Sequence, residues 1–397
     1  MSVNLKASKQ YKSDFTRCQE SKTDFVKCQE NCEILIDYIW EKLNTGYWKH
    51  VPVAWRYAYT VVSMLKMFAE TNLLLDGDSK VKFSDVMKTC DMGLLMGAPL
   101  LDNILAKMSA CISPLNPDCN NVTRMAPSAD IDISPKRQKL SHATHQLAQD
   151  PLCSLDETKL IQRVSCLSLE SFQSKFLNTR VPVIITDAID FWPAMSNRKW
   201  TLDYIKSVAG TRTVPIEIGS KYTEDSWSQT LMTIKEFIEK YIEHPHENNS
   251  NPKGYLAQHQ LFDQIPELQN DISVPTYCCL GTRDDVDVNA WFGPRGTVSP
   301  LHYDDKDNLL AQVMGSKYIR LYSDEFTPSV YPHPHRLLHN TSQIDVEQPN
   351  YDQFPKFKSA SYTECILNPG EMLFIPSKFW HFVKSLSVSF SVSFWWQ

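Results

Sequence analysis

Two histidines and one aspartate constrain this 397-residue chain more than anything else in it: His302-Tyr303-Asp304, followed 79 positions later by His381. In an extended strand, residues i and i+2 face the same side, so His302 and Asp304 can reach one ion while Tyr303 points away. A third ligand must then come from a strand distant in sequence. His381 lies just beyond the alternating run Gly370-Glu371-Met372-Leu373-Phe374-Ile375-Pro376. Two imidazoles and one carboxylate form a facial triad, which suits Fe(II) and leaves coordination positions open. This spacing describes a metal site in a small β-barrel.

The residues around the triad carry more information than the triad alone. Gly296, His302, Asp304, Asn308 and Gly315 are spaced like the first cupin motif, and Gly370, Pro376 and His381 like the second. Two departures stand out. Asp304 occupies a position where many cupins have a second His, and Asn308 one where they have a ligating Glu. In this the chain resembles the Jumonji-C branch of the 2-oxoglutarate-dependent oxygenases, over roughly residues 155 to 397. The resemblance implies Fe(II) on His302, Asp304 and His381, with 2-oxoglutarate as cosubstrate and O2 as oxidant. The far carboxylate of the cosubstrate needs a cation and hydroxyl donors. Lys317, thirteen residues after Asp304, matches the family's cosubstrate lysine, and Tyr255, Ser299 and Asn308 resemble its polar partners.

The strings Gly254-Tyr255-Leu256-Ala257-Gln258, Asn289-Ala290-Trp291-Phe292-Gly293-Pro294 and Phe390-Ser391-Val392-Ser393-Phe394-Trp395-Trp396 are similar to one small branch of that family. That branch implies C3 hydroxylation of arginyl side chains in protein substrates, with Glu217 and Trp291 as the carboxylate and aromatic face that receive a cationic side chain. Two alternatives stay open. Demethylation of an N-methyl-lysine uses the same iron chemistry on a different carbon. An endopeptidase acting on histone tails with methylated arginine would need the metal to activate water and would work without 2-oxoglutarate.

The expected fold class is α+β: a C-terminal double-stranded β-helix with flanking helices, preceded by an all-α domain. Apolar residues recur at helical spacing from Cys32 to Glu70, interrupted by Gly46 and Pro52, which predicts antiparallel helices. Further helices are expected from Ser84, as N-cap, to Leu95 and beyond and from Pro99 to Ala110; the set reads either as a partner-binding module resembling tetratricopeptide pairs or as a helical domain that only packs on the barrel. Between 112 and 150 the chain is rich in Pro, Ser, Asn and Asp and loses periodicity, which marks a flexible linker. The domains are therefore set at 1–111, 112–150 and 151–397, with the barrel core at about 254–397. The closing run from Ser387 to Trp396 has a strict period of two and predicts a strand with one buried face.

A formal charge of −6 argues against sequence-independent grip on nucleic acid and suits a basic protein substrate. The first residues lack the apolar core of a signal peptide, and no stretch approaches bilayer-spanning length, so a nuclear and cytoplasmic enzyme is expected. Ser134-Pro135-Lys136-Arg137-Gln138-Lys139 is a candidate import signal. Eleven cysteines without a C-x-x-C pair disfavour a disulfide framework. The chain ends at the last strand, without the helical bundle through which several Jumonji-C hydroxylases dimerise, and this implies a monomer.

Overall fold

The computed structural model describes residues 3–117, 154–219, 227–244, 252–283, 285–335 and 338–397, with side chains from residue 22 onward except Trp48. The basic run Ser134–Lys139 and most of the segment expected to be a linker lie outside the described residues. The chain divides into two compact units.

The helical unit contains α1 (Val3–Leu43), α2 (Val53–Leu75), α3 (Phe83–Met96) and α4 (Ile104–Ile112), and it also includes 207–213 and 263–267. Met67, Leu73, Val86, Cys90 and Leu105 form one buried cluster, and Cys32, Ile39, Tyr59 and Val62 a second. The α2 positions in these clusters follow helical spacing, which is why periodicity located that helix. α3 begins two residues before the expected start. Ser84 is inside it, Lys82 is the N-cap residue, and the Lys82 backbone N–H donates to Asp85 Oδ2 at 3.0 Å. A carboxylate at the third helical position satisfies an otherwise orphaned donor and favours the helix N-terminus. α4 starts at Ile104, five residues after the expected start at Pro99, because Leu101, Asp102 and Asn103 all adopt positive φ and form a turn.

Among the described residues, thirteen strands form two sheets, almost entirely within the second unit. The larger runs β1 (Arg163–Val164), β2 (Val183–Ile185), β11 (Met372–Ile375), β8 (Asp307–Met314), β13 (Ser389–Trp396), β6 (Asp287–Gly293), β5 (Gly254–His259), β3 (Thr213–Ile218) and β4 (Ser228–Thr233). The smaller runs β10 (Thr363–Leu367), β9 (Lys317–Tyr322), β12 (Trp380–Ser385) and β7 (Val298–His302). This is the expected double-stranded β-helix; β1 and β2 pair in parallel, and the neighbours from β2 to β3 in the larger sheet and throughout the smaller one are antiparallel. Leu310, Ile319, Leu321, Cys365, Leu367, Leu373 and Ile375 fill the space between the sheets at one level. Gly315 turns β8 into β9 at φ +69°, and a Cβ there would come within 1.9 Å of the Val388 carbonyl oxygen, so only glycine fits.

β13 departs from its expected pattern. It is buried on both faces rather than one. It sits centrally, between β8 and β6, and its alternating serines bond inward: Ser391 donates to Gln312 Oε1 at 2.7 Å, and Gln312 Nε2 donates to Ser389 at 3.0 Å. The hydroxyls of Ser389 and Ser391 are thereby paired in the interior, whereas the indole N–H of Trp395 on the same strand is buried without a hydrogen-bond partner among the described residues.

Candidate metal and cosubstrate site

β7 ends at His302, so Asp304 lies two residues past the paired strand rather than on it. The alternation nevertheless persists: Tyr303 packs edge-on against Trp380 in the outer core, leaving Asp304 on the His302 side. Two backbone bonds fix this segment. Tyr303 N–H donates to the Asn340 carbonyl at 3.0 Å, and Lys378 N–H donates to the Asp304 carbonyl at 2.7 Å. β12 pairs with β7 so that His381 stands directly opposite His302, with ring centroids 4.2 Å apart. His381 Nε2 lies 3.6 Å from Asp304 Oδ2, and one donor atom from each of the three residues falls within 4.8 Å of the others.

The donor set fits a divalent metal. His302 Nδ1 is 2.7 Å from the Pro300 carbonyl and His381 Nδ1 is 3.0 Å from the Phe379 carbonyl. Each carbonyl requires an Nδ1–H, which leaves each Nε2 with a free lone pair toward Asp304. Burial, followed by the neighbouring His302, pushes the His381 pKa down to about 4, so this imidazole is neutral and able to ligate at physiological pH.

Next to the triad is a cleft lined by both sheets: Tyr255, Trp291, Asn308, Leu310 and Ile375 from the larger, Ser299, Lys317 and Val383 from the smaller. Lys317 opens β9 and is 1% exposed. Among the described residues its side chain makes one hydrogen bond, to the Tyr255 hydroxyl at 3.3 Å, and burial alone pushes its pKa down to about 7. Asn308 Oδ1 is buried with no hydrogen-bond partner. A buried ammonium without a carboxylate and a buried amide without a partner are both costly unless something polar joins them. An anion in the cleft satisfies the first, and the amide of Asn308, whose oxygen and nitrogen can exchange places, satisfies the same ligand as donor.

Trp291 faces this cleft with its indole N–H donated to Ser393 at 2.9 Å, which holds the ring in place. Glu217 is elsewhere. It stands on β3 opposite Tyr255 in register and is not among the residues lining the cleft. Burial holds its carboxyl above the usual range. Spacing did not single out Leu310, Ile375 and Val383, the aliphatic walls. The available signal was their inward positions on β8, β11 and β12.

Sequence comparison agrees with this geometry. Residues 169–397 match the cupin-like domain, and residues 16–124 match the KDM8-like N-terminal ARM repeats. The chain belongs to the Jumonji-C oxygenases of the cupin-like family. It is 49% identical over 368 residues to lysine-specific demethylase 8 of Danio rerio, covering 92% of this chain and 86% of that protein. It is 37% identical over 368 residues to Jumonji C domain-containing protein 5 of Drosophila melanogaster, covering 91% and 85%. Jumonji-C enzymes use Fe(II), 2-oxoglutarate and O2. The helical unit thus resembles ARM repeats rather than the tetratricopeptide pairs its periodicity suggested. Both are stacked helices with similar apolar spacing, so a short stretch does not separate them.

Proposed function

We propose that this Jumonji-C oxygenase hydroxylates arginyl side chains of protein substrates at C3. Iron is assigned to His302, Asp304 and His381, and 2-oxoglutarate to Lys317 with Tyr255, Ser299 and Asn308. Fe(II) with 2-oxoglutarate and O2 supplies the power to oxidise an unactivated C–H bond. The residues of the chain bind and orient. Lys317 holds the remote carboxylate as a charge-assisted pair, the Tyr255 hydroxyl keeps the ammonium in place, and Leu310, Ile375 and Val383 exclude water. The observation that carries the reading is Lys317: a wholly buried lysine beside a His-Asp-His cluster with no anion of its own.

For the substrate, Trp291 is a fixed aromatic face in the cleft suited to a guanidinium, and Glu217 contributes a half-buried carboxylate one strand beyond Tyr255. Glu217→Ala should raise the peptide KM while leaving substrate-free succinate release unchanged; unaltered peptide kinetics would remove Glu217 from recognition. A monomer working in nucleus and cytoplasm is part of this reading, tested by light scattering and by imaging of the tagged chain.

The direct test loads the protein with Fe(II) anaerobically, admits O2 and 2-oxoglutarate with an arginine-rich peptide library, and reads masses against His302→Ala. One added oxygen on arginine, coupled to succinate, is the expected result. Methyl loss from N-methyl-lysine would replace the reading with a demethylase, in keeping with the names of the relatives. Chain cleavage without cosubstrate would replace it with a peptidase.

A further inference from the structure

The helical unit contains a cavity of about 340 Å3 that shares no lining residue with the barrel cleft. Tyr59, Ser63 and Glu70 of α2 and Thr89 of α3 line its buried part. Two atoms there, Ser63 Oγ and Glu70 Oε2, are buried without a hydrogen-bond partner. Glu70 is 2% exposed, and its other oxygen lies 3.6 Å from Lys66 Nζ. That ammonium is closer to Glu33, at 3.1 Å, so one lysine is shared by two carboxylates. Ile36, Val81 and Met92 provide apolar wall, and exposed Lys80, Asp85 and Lys88 stand at the rim. Among the described residues, no ion pair is recorded for Lys80 or Lys88.

A carboxylate buried at the wall of a cavity is stabilised by a cation that can also donate hydrogen bonds. The volume exceeds what one ion or one water fills. We propose that this cavity binds a guanidinium or primary ammonium head on an aliphatic stem, carried by a ligand that also bears a carboxylate. The head bonds Glu70 Oε2 and Ser63 Oγ, the stem lies along Ile36, Val81 and Met92, and the carboxylate meets Lys80 and Lys88. Burial pushes the Glu70 carboxyl up to about 7, against the opposing pull of a hydrogen bond from Thr89 and of the Lys66 ammonium. Free basic amino acids and basic residues in peptides share this chemistry. The site stands independently of the reaction assigned to the barrel.

The test is calorimetry on the full chain with three probes: L-arginine, argininamide and acetyl-Arg-Glu-amide. Acylation of surface lysines, read by mass spectrometry, locates the bound probe. Saturable binding of arginine is expected, several-fold tighter than that of argininamide, with acylation of Lys80 and Lys88 slowed. Glu70→Gln should weaken binding by about tenfold or more, as loss of a charge-assisted hydrogen bond does. Its Tm should be equal or higher, because the variant removes a poorly compensated buried charge. Peptide binding at least as tight as that of arginine would identify a peptide ligand, and binding of arginine alone a free amino acid. Equal binding by Glu70→Gln, no binding by any probe, or protection absent from Lys80 and Lys88 would overturn the proposal. A lowered Tm with unchanged binding would also do so, assigning Glu70 to its ion pair with Lys66.

Discussion

Arg212 in the helical unit and Lys317 in the barrel are both cations removed from water, at 2% and 1% exposure, yet their surroundings are opposite. Arg212 donates from Nε and Nη2 to Asp91 Oδ1 at 2.9 and 2.7 Å, and from Nη2 to the Gln264 carbonyl at 2.6 Å. Asp91 is equally occupied, receiving Gln264 Nε2 at 2.8 Å and the Thr213 backbone N–H at 2.6 Å. Lys317 has one phenol at 3.3 Å. A buried charge paired directly with a buried carboxylate is a structural joint. One that is buried and nearly unpaired is held for something that arrives later, and that difference separates the two sites.

The comparison is broken most severely at Asp91. Asp91→Ala leaves Arg212 charged and uncompensated, so unfolding stability should fall by about 3–5 kcal/mol in urea titration. A loss below ~1 kcal/mol would mean the joint is not structural.

The pH dependence of cosubstrate binding sharpens the contrast. The Lys317 pKa is depressed to about 7 in the free protein, and the dicarboxylate pairs with the ammonium form, so above pH 7 binding must take up a proton. Affinity for 2-oxoglutarate should therefore decline as pH rises from 7 to 9, approaching about tenfold per pH unit. Calorimetry in buffers of different ionisation enthalpy would count the proton. For folding the sign reverses: the unfolded chain holds this proton up to about pH 10 and the folded one does not, so this group's contribution to stability rises with pH between about 7 and 10.

Asn308→Ala should have the smallest effect. It removes a side-chain amide whose oxygen has no partner, so Tm should hardly move while the 2-oxoglutarate Kd rises a few-fold. A large fall in Tm would show that Asn308 serves the fold.

The sequence disclosed most about the barrel because its signals are local. A period of two, glycines at forced turns and a proline before His381 set which residues face inward, and Gly315 is a position no other residue can occupy. Lys317 could be selected by its distance from Asp304. The depth of its burial could not, since that depends on β9 lying between β10 and β12, with Leu367 and Ser385 as the register partners of Lys317. The Arg212–Asp91 joint spans 121 positions and left no periodic trace. Ser84 was a reasonable N-cap, but the Lys82–Asp85 pair competes for the same turn and sets the start of α3. Lys66 and Glu70 are legible as an i, i+4 pair. That Glu70 is buried beside a cavity follows only from how α1 and α3 pack around α2.

The most direct test of the account measures stability and 2-oxoglutarate affinity together in Lys317→Met. If Lys317 is kept unpaired for the cosubstrate, the substitution removes a desolvated charge and keeps the stem's packing, so Tm should hold or rise while affinity for 2-oxoglutarate falls by at least about tenfold. A Tm that drops with 2-oxoglutarate binding unchanged would contradict the account and make Lys317 a structural residue like Arg212.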